Sequence, residues 1–373
     1  MRLRSDATLL ARSIRAGKVR PPAPFKLTVA VTYTCEQRCT HCRIWRRPAS
    51  DELTAGEWRQ VWRQGSSTLS WLDLTGGEVT NRPDFSEIAV AALEECPQLA
   101  LLHFPSNGRS PALLESMTRA ILSANPSRLI ISLSLDGPPA LHDKLRGDKG
   151  SYEATLESFQ RLRALGVEVY FGFTLSAWNI DHLDETYRAL EARIDGFGWS
   201  DLHVNFLHES SHFFGNTGIR RSEPEALRTQ LRHIIRQRGT PTHPTHLLES
   251  LYLSSVESYL HDGRSPLPCS SMSGHAFVNP AGEVYPCHIW DAPVASLREH
   301  EYSLARVWDL EVARRRRAEV KSEQCPGCWT PCEAYPTILS NLGEAARAGL
   351  FNGVRNIGTS AASPSVASTS ADE

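Results

Sequence analysis

Short apolar runs alternate with longer amphipathic stretches from residue 25 to residue 208. Runs such as 27–32 and 128–135 predict buried strands, whereas 55–63 and 152–165 carry apolar residues three or four positions apart and predict helices. Six strand–helix units follow one another in single file, an order that favours parallel strands joined by right-handed crossovers. We therefore predict an α/β fold, a partial (β/α)6 barrel similar to a TIM barrel.

The pattern changes after residue 208 and divides the chain into segments. Residues 239–244 break the helical pattern, a second group of cysteines begins at Cys269, and residues from 357 onward are rich in serine and alanine without periodicity. We predict a basic N-terminal extension over residues 1–24, the barrel over 25–238, a helical linker over 239–268, a small cysteine-bearing domain over 269–340 and a partly disordered tail over 341–373.

Composition and charge exclude several classes of protein. A net charge of −2 and 22% charged residues are ordinary for a globular protein and give no global attraction to nucleic acid or to an anionic membrane. No apolar stretch approaches the roughly 20 residues that a membrane-spanning helix needs, and no apolar signal core follows the basic N-terminus. We expect a cytoplasmic protein that has no membrane span and does not bind nucleic acid.

Nine cysteines are many for a cytoplasmic chain, and they fall into two groups. Three lie between Cys35 and Cys42, five lie between Cys269 and Cys332, and Cys96 stands alone. Disulfides are disfavoured in the cytoplasm, so clustered cysteines there more often bind metal or carry redox chemistry. Two separate metal sites are the simplest interpretation, with Cys96 as a small buried residue.

The first group, Cys35, Cys39 and Cys42, has three and then two intervening residues. A four-iron cluster is normally held by four thiolates, so three thiolates in one loop leave an iron that can bind another ligand. The alternative is a structural zinc site completed by a distant ligand, although zinc sites favour paired Cys-x2-Cys spacings. The spacing resembles the Cys-x3-Cys-x2-Cys signature of the radical S-adenosylmethionine (SAM) superfamily, which follows the first barrel strand.

This resemblance implies a cofactor and a chemistry. The open iron of a [4Fe-4S] cluster would bind the amino and carboxylate groups of SAM, and reductive cleavage would give methionine and a 5′-deoxyadenosyl radical that abstracts hydrogen from the substrate. An external electron donor such as flavodoxin or ferredoxin is implied as a partner. In the family, an aromatic residue usually precedes the third cysteine and packs near the adenine; here that residue is His41.

Further motifs follow the second, third and fourth predicted strands, where a parallel barrel carries its functional residues. Gly76-Gly77-Glu78 resembles the family's Gly-Gly-Glu element, whose backbone and carboxylate receive the SAM ammonium. By themselves this motif and Ser106-Asn107-Gly108 are ordinary turns. In the family context, the predicted SAM-pocket residues are His41, Gly76, Gly77, Glu78, Asn107, Ser132, Ser134 and Asp136, the last three spaced so that they point the same way.

The second group comprises Cys269, Cys287, Cys325, Cys328 and Cys332. A cysteine pair followed by Cys-x2-Cys also suits zinc. However, the opening Cys-x12-Gly-x4-Cys, with a predicted hairpin turn at residues 280–282, resembles the SPASM and twitch domains of radical SAM enzymes. Those domains bind additional four-iron clusters, so the resemblance implies an auxiliary-cluster domain over residues 269–340.

A complete SPASM domain binds two auxiliary clusters and needs more cysteines than this chain has, so we expect one auxiliary [4Fe-4S] cluster in a shortened, twitch-like domain. By analogy its ligands are Cys269, Cys287, Cys325 and Cys328, and Cys332 either replaces one of them or stays free. Just after Cys287, His288 and Asp291 are candidate acid–base residues that would accept a substrate proton.

The leading hypothesis is a radical SAM oxidoreductase or maturase-type enzyme that oxidises, or forms a bond in, a peptide or a small metabolite. One alternative is an electron-transfer or scaffold iron–sulfur protein without radical chemistry, and another is a zinc-binding structural protein. The leading hypothesis predicts a brown protein with about eight irons per chain, in two four-iron clusters, whereas the zinc alternative predicts a colourless protein.

Overall fold

The computed structural model describes residues 2–48 and 51–347. Within them, nine strands form one sheet in the order β6-β5-β4-β3-β2-β1-β7-β8-β9. The strands are β1 (Lys26–Thr32), β2 (Trp71–Gly76), β3 (Leu101–Ser106), β4 (Leu129–Ser134), β5 (Glu168–Leu175), β6 (Leu202–Phe206), β7 (His275–Val278), β8 (Glu283–Tyr285) and β9 (Ala295–Ser296). All neighbouring pairs from β1 to β6 are parallel.

Helices connect the parallel strands in chain order. The helices are α1 (Arg2–Lys18), α2 (Ala55–Gly65), α3 (Phe85–Glu95), α4 (Pro111–Ser123), α5 (Pro139–Arg146), α6 (Ser151–Ala164), α7 (Leu183–Glu191), α8 (Pro224–Arg238), α9 (Pro244–Asp262), α10 (Leu304–Asp309), α11 (Glu311–Lys321), α12 (Pro331–Ser340) and α13 (Leu342–Arg347). Since β6 and β9 are the two ends of the sheet, the barrel is partial and open. The predicted α/β fold, a partial TIM-like barrel with a C-terminal domain, is confirmed.

The two faces of β1 explain why its whole length is buried. Leu27 and Val29 point outward into the main apolar core, which also contains Trp58 and Trp62 of α2. Lys26, on the opposite face, points into the barrel and is also fully buried. Strands covered on both faces are typical of parallel sheets that are flanked by helices.

Helices α1 and α12 close the end of the barrel where the strands begin. Trp71, Leu101, Ile130 and Tyr170, near the starts of β2 to β5, form an apolar cluster against side chains of these two helices. The helices pack so closely that a Cβ on Gly17 would lie 1.9 Å from the backbone oxygen of residue 340. The predicted basic extension is therefore a packed helix over most of its length. The predicted segment boundaries themselves stay predictions.

The C-terminal domain extends the barrel sheet. Strand β7 pairs with β1 in parallel, with His275 opposite Lys26, and then pairs with β8 in an antiparallel hairpin. Gly282 has a φ of +84° in the connecting turn, at the place where the sequence predicts one. This hairpin delivers Cys287 to the carboxyl side of β8.

A capping box begins α2 and also ties the barrel to the C-terminal domain. Thr54 Oγ1 accepts from the Glu57 backbone N–H at 3.2 Å, and Glu57 Oε2 accepts from the Thr54 N–H at 2.8 Å. Glu57 Oε1 also accepts a hydrogen bond from Arg298 Nε at 2.7 Å. One carboxylate thus serves a helix cap and an interdomain ion pair.

Part of the predicted tail, residues 342–347, is helical as α13. The remainder, residues 348–373, which includes the segment predicted to be disordered, lies outside the described residues. No helix in the described part of the chain combines the length and the apolar character needed to cross a membrane.

Candidate functional site

The first cysteine loop directly follows β1. Cys39 is buried and lies close enough to Cys35 and to Cys42 to interact electrostatically with both. Burial, with the charge of Cys39 added, raises the pKa of Cys42 to about 12. Such thiols stay neutral at physiological pH unless a metal supplies positive charge, and metals bind the thiolate form. The donor set fits an iron–sulfur cluster because three thiols converge in one loop.

Hydrogen bonds hold this loop from two sides. The Arg38 backbone N–H donates to the Arg146 carbonyl at 3.0 Å, which ties the loop to the end of α5. On the other side, the side-chain amide of Asn216 donates to the His41 carbonyl at 3.1 Å. Hydrogen bonds from other parts of the protein therefore stabilise the loop conformation that brings the three thiols together.

The end of β2 packs directly against the cysteine loop. Gly76 has a φ of +144°, which other residues rarely adopt, and a Cβ there would lie 2.1 Å from the Thr32 carbonyl oxygen. A Cβ on Gly77 would lie 2.2 Å from the carbonyl oxygen of Thr34, the residue before Cys35. Only glycine permits this approach of two backbones, so both predicted glycines position β2 beside the loop.

The carboxylate of Glu78 is buried and already has four donors within the protein. Oε1 accepts from Ser106 Oγ at 2.8 Å, from Thr80 Oγ1 at 2.9 Å and from the Thr80 N–H at 3.1 Å, and Oε2 accepts from the Asn107 N–H at 2.6 Å. Burial raises the pKa of Glu78. Glu78 thus links the ends of β2 and β3. The ammonium group of a ligand could bind Glu78 only in addition to these four donors.

Asn107 connects the end of β3 to the cysteine loop. Its Nδ2 donates to Glu36 Oε1 at 2.8 Å, and the other oxygen of Glu36 accepts from Asn81 Nδ2 at 2.5 Å. Because Glu36 directly follows Cys35, the predicted Asn107 positions the loop through this contact.

The three predicted residues at the end of β4 lie in two different places. Ser132 Oγ lies 3.0 Å from His103 Nε2 inside the barrel, and Ser134 is likewise half-buried. Asp136 is fully buried, and its Oδ2 lies 2.6 Å from Arg146 Nη2. The two serines therefore belong to the barrel interior, whereas the carboxylate forms an ion pair beside the cysteine loop.

His41 lies in the same buried group as Asp136. Its Nε2 is 3.7 Å from Asp136 Oδ2. Burial lowers the pKa of His41 although the nearby carboxylate opposes that shift, so the ring is neutral at physiological pH.

Three cysteines of the second group lie close to a fourth, Cys287. Cys328, Cys269 and Cys325 each interact electrostatically with Cys287. Burial raises the pKa of Cys269 to about 12. Four thiols in one buried group fit a second iron–sulfur cluster.

Cys332 has different surroundings, at the start of α12. Burial raises the pKa of its thiol, and the charges that act on it most strongly are those of Lys26, Glu333 and Asp73. Its carbonyl oxygen accepts from Lys26 Nζ at 2.6 Å. The structure thus sorts the five cysteines into a set of four and a single one beside the barrel interior.

The two candidate acid–base residues also have different surroundings. His288 is buried with its Nδ1 2.9 Å from Glu333 Oε1, and one donor atom each of His288, Cys332 and Glu333 lie within 4.8 Å of one another. Asp291 is exposed, and its Oδ2 accepts from Ser211 Oγ at 3.3 Å.

A line of polar groups runs across the barrel interior, and Ser132 is the one member of it that the sequence motifs predict. Lys26 Nζ lies 2.8 Å from Asp73 Oδ2, His103 Nδ1 lies 3.2 Å from Asp73 Oδ1, and His103 reaches Ser132. The His103 side chain is 26% exposed, so the interior is accessible. The sequence did contain a signal for this line: each of the four consecutive apolar strands β1 to β4 carries polar residues that alternate with apolar ones.

Comparison with known families decides the identity of the chain. The sequence model of the Radical SAM superfamily matches residues 29–190, and that of the SPASM iron–sulfur cluster-binding domain matches residues 269–333. The chain belongs to the radical SAM superfamily. The resemblance stated from the cysteine spacings is confirmed, and the C-terminal part of this radical SAM protein is a SPASM-type domain.

Curated relatives share this membership at modest identity. The subtilosin biosynthesis protein AlbA of Bacillus subtilis is 25% identical over 195 residues, which are 50% of this chain and 42% of AlbA. The AdoMet-dependent heme synthase of Methanosarcina barkeri is 25% identical over 321 residues, which are 79% of this chain and 85% of that protein. The match thus spans less than half of AlbA and most of the heme synthase.

Solved structures share the fold. SuiB of Streptococcus suis bound to its precursor peptide SuiA aligns with a TM-score of 0.58 at 16% identity, covering 87% of this chain and 75% of SuiB. The same protein bound to S-adenosylmethionine aligns with a TM-score of 0.57 at 15% identity, covering 80% of this chain and 68% of SuiB.

Proposed function

We propose that this radical SAM protein is an enzyme that cleaves SAM reductively and abstracts hydrogen from a peptide or small-metabolite substrate. The convergence of Cys35, Cys39 and Cys42 beside the glycines at the end of β2 carries the proposal. A [4Fe-4S] cluster held by these thiols, with SAM bound to it, would supply the radical chemistry. The protein contributes the position of these groups and the exclusion of water.

The residues around the loop have different roles in binding and positioning the cluster and SAM. The three thiols hold the iron, Gly76 and Gly77 bring backbone to the SAM side of the loop, and Asn107 fixes Glu36. Ser132 and Ser134 offer hydroxyl groups from the barrel interior, where SAM and substrate would meet. Asp136 acts indirectly, because its carboxylate is already paired with an arginine.

For the SPASM-type domain, the ligand set we propose is Cys269, Cys287, Cys325 and Cys328, with Cys332 outside it. The electrostatic interactions of Cys269, Cys325 and Cys328 with Cys287 support that choice. An auxiliary [4Fe-4S] cluster supplies one-electron redox chemistry, which suits oxidation or bond formation in the substrate. An external flavodoxin or ferredoxin would reduce the enzyme.

A peptide is the favoured substrate class. SuiB is bound to a precursor peptide in one of its structures, and another relative, from Ruegeria pomeroyi, is named a PqqA peptide cyclase. In this chain, the partly exposed His103 and Ser132 inside the barrel offer hydrogen-bond partners that suit peptide amides and polar side chains.

Anaerobic reconstitution tests the proposed function. The purified protein, reconstituted with iron and sulfide, should be brown, contain about eight irons per chain and form 5′-deoxyadenosine when dithionite and SAM are added. Liquid chromatography with mass detection measures the product. A protein that keeps its full iron content but forms no 5′-deoxyadenosine would instead be an electron-transfer or scaffold protein.

We expect Gly77→Ala to slow SAM cleavage by about 100-fold, because a misplacement of about 1 Å can cost that much. The added methyl group would overlap the Thr34 carbonyl oxygen and must displace the backbone beside Cys35. Initial rates of 5′-deoxyadenosine formation under dithionite measure the effect.

Gly56→Ala is the matched control, because the nearest atom to a Cβ there is Thr54 Oγ1 at 3.9 Å, an ordinary contact. Its rate should equal that of the wild type. An unchanged rate for Gly77→Ala would mean that the close approach of β2 to the loop does not matter for SAM.

A further inference from the structure

A buried arginine lies against one thiol of the first cysteine loop. Arg146, the last residue of α5, is 7% exposed. Its Nη1 donates to Cys39 Sγ at 3.7 Å, within hydrogen-bonding range for sulfur, and its Nη2 lies 2.6 Å from Asp136 Oδ2. The guanidinium is therefore divided between a carboxylate and a cysteine sulfur.

This arrangement is costly unless the sulfur carries charge. A buried guanidinium needs partners for its five donors, and Nε of Arg146 has none among the described residues. A neutral thiol is a weak acceptor, whereas a metal-bound thiolate is a strong one. The buried guanidinium of Arg146 is thus suited to Cys39 as a metal-bound thiolate.

We propose that Arg146 sets the reduction potential of the cluster at the first cysteine loop through this hydrogen bond and its positive charge. The proposal rests on the proposed function, which assigns that cluster to Cys35, Cys39 and Cys42. Hydrogen bonds to ligand sulfurs and the local net charge are both determinants of cluster potential. A cation next to Cys39 favours the reduced cluster, which carries one more negative charge, and low local polarity enlarges the effect.

Asp136 is then the counter-ion of this arginine rather than a direct SAM ligand. Its Oδ2 holds the guanidinium and also lies 3.7 Å from His41 Nε2, and its Oδ1 accepts from the Thr174 N–H at 3.1 Å. A negative charge at this place lowers the cluster potential. The two residues should therefore shift the potential in opposite directions, which a general loosening of the loop would not do.

Redox titration of the reconstituted full-length protein tests this role. Electron paramagnetic resonance would follow the reduced cluster whose signal changes when SAM is added, while the auxiliary cluster in the same sample serves as an internal reference. We expect Arg146→Gln to lower the midpoint potential, Arg146→Lys to lower it less, and Asp136→Asn to raise it. SAM cleavage should fall in Arg146→Gln when a weak reductant replaces dithionite.

Arg109→Gln is the matched control, since Arg109 pairs with Asp148 at 2.7 Å beside the same loop. It should leave the potential unchanged. If Arg146→Gln does not bind iron, the double variant Asp136→Asn/Arg146→Gln, which leaves no unpaired buried charge, decides the case. If the double variant binds the cluster, its midpoint potential should lie below that of Asp136→Asn, because loss of the arginine offsets loss of the carboxylate.

Equal potentials in the wild type and Arg146→Gln, or shifts of the same sign in Arg146→Gln and Asp136→Asn, would overturn the proposal. So would loss of iron from both Arg146→Gln and the double variant, because Arg146 would then hold the loop and nothing more. A wild-type protein that titrates as expected but forms no 5′-deoxyadenosine would contradict the proposed function alone.

Discussion

Replacing Cys39 with alanine is expected to abolish SAM cleavage while the auxiliary cluster remains. Cys39 is the buried thiol that interacts with both Cys35 and Cys42, so its loss leaves only two thiols at the first loop. The iron content should fall from about eight to about four per chain. Iron analysis and 5′-deoxyadenosine formation, measured on the same anaerobic preparation, check both parts of this expectation.

Cys96→Ala provides the control for this experiment. Cys96 is also a buried cysteine, but it lies at the end of α3 and its thiol donates to the Trp62 carbonyl at 3.3 Å. Its replacement should change neither the iron content nor the cleavage rate. Full activity of Cys39→Ala would refute the assignment of the first loop as the SAM-cleaving site.

Lys26→Met is expected to destabilise the protein by about 3–5 kcal/mol, the typical cost of removing one partner of a buried ion pair. Lys26 is completely buried and lies 2.8 Å from Asp73 Oδ2, so methionine would leave the buried carboxylate without its lysine partner, although Trp71 Nε1 and His103 Nδ1 still reach Asp73 Oδ1. It would also remove the donor to the Cys332 carbonyl. Anaerobic urea unfolding, followed by tryptophan fluorescence, measures the free energy of unfolding.

The pH dependence of this loss identifies its cause. Burial alone would raise the pKa of Asp73, but Lys26 and His103 hold it below its ordinary value. In the wild type, Asp73 therefore contributes stability above about pH 4 that is lost as the pH falls. In Lys26→Met the carboxyl loses the lysine charge and keeps His103 and Trp71 as partners, so its pKa is higher than in the wild type and less of that stability is present at neutral pH.

The difference in stability between the wild type and Lys26→Met should accordingly be larger at pH 7 than at pH 4. Lys149→Met, at an exposed position, serves as the control and should change stability by less than about 0.5 kcal/mol. A pH-independent loss would point to packing rather than to the unpaired charge.

Local spacing was enough to predict that the two cysteine groups bind iron–sulfur clusters. Cys35, Cys39 and Cys42 lie within a few residues of one another, so any fold of that loop keeps their thiols close. The glycines at positions 76 and 77 were predicted from the resemblance of Gly76-Gly77-Glu78, which follows a predicted strand, to a family motif. The hairpin turn before Cys287 was visible as a Pro-Ala-Gly sequence, and the structure confirms it.

Helices that carry part of the candidate site were not visible as amphipathic patterns. Helix α5 has eight residues and α12 begins directly at Pro331, yet the first supplies Arg146 and the second supplies Cys332 and Glu333. Short helices hold their place through tertiary packing rather than through their own propensity. The surroundings of these side chains could therefore be described only after the neighbouring elements were in place.

The sequence by itself determined the α/β barrel, the family and the cysteines that are candidates for metal binding, because strand–helix order and motif spacing are local properties of the chain. Only the tertiary structure separated Cys332 from the other four C-terminal cysteines, gave Glu78 its internal donors and brought Arg146 to Cys39. Arg146 and Cys39 are 107 residues apart in the chain, and Lys26 and Cys332 are 306 apart. Contacts over such separations follow from strand order and helix packing, which bring distant segments together and leave no periodic trace in the sequence.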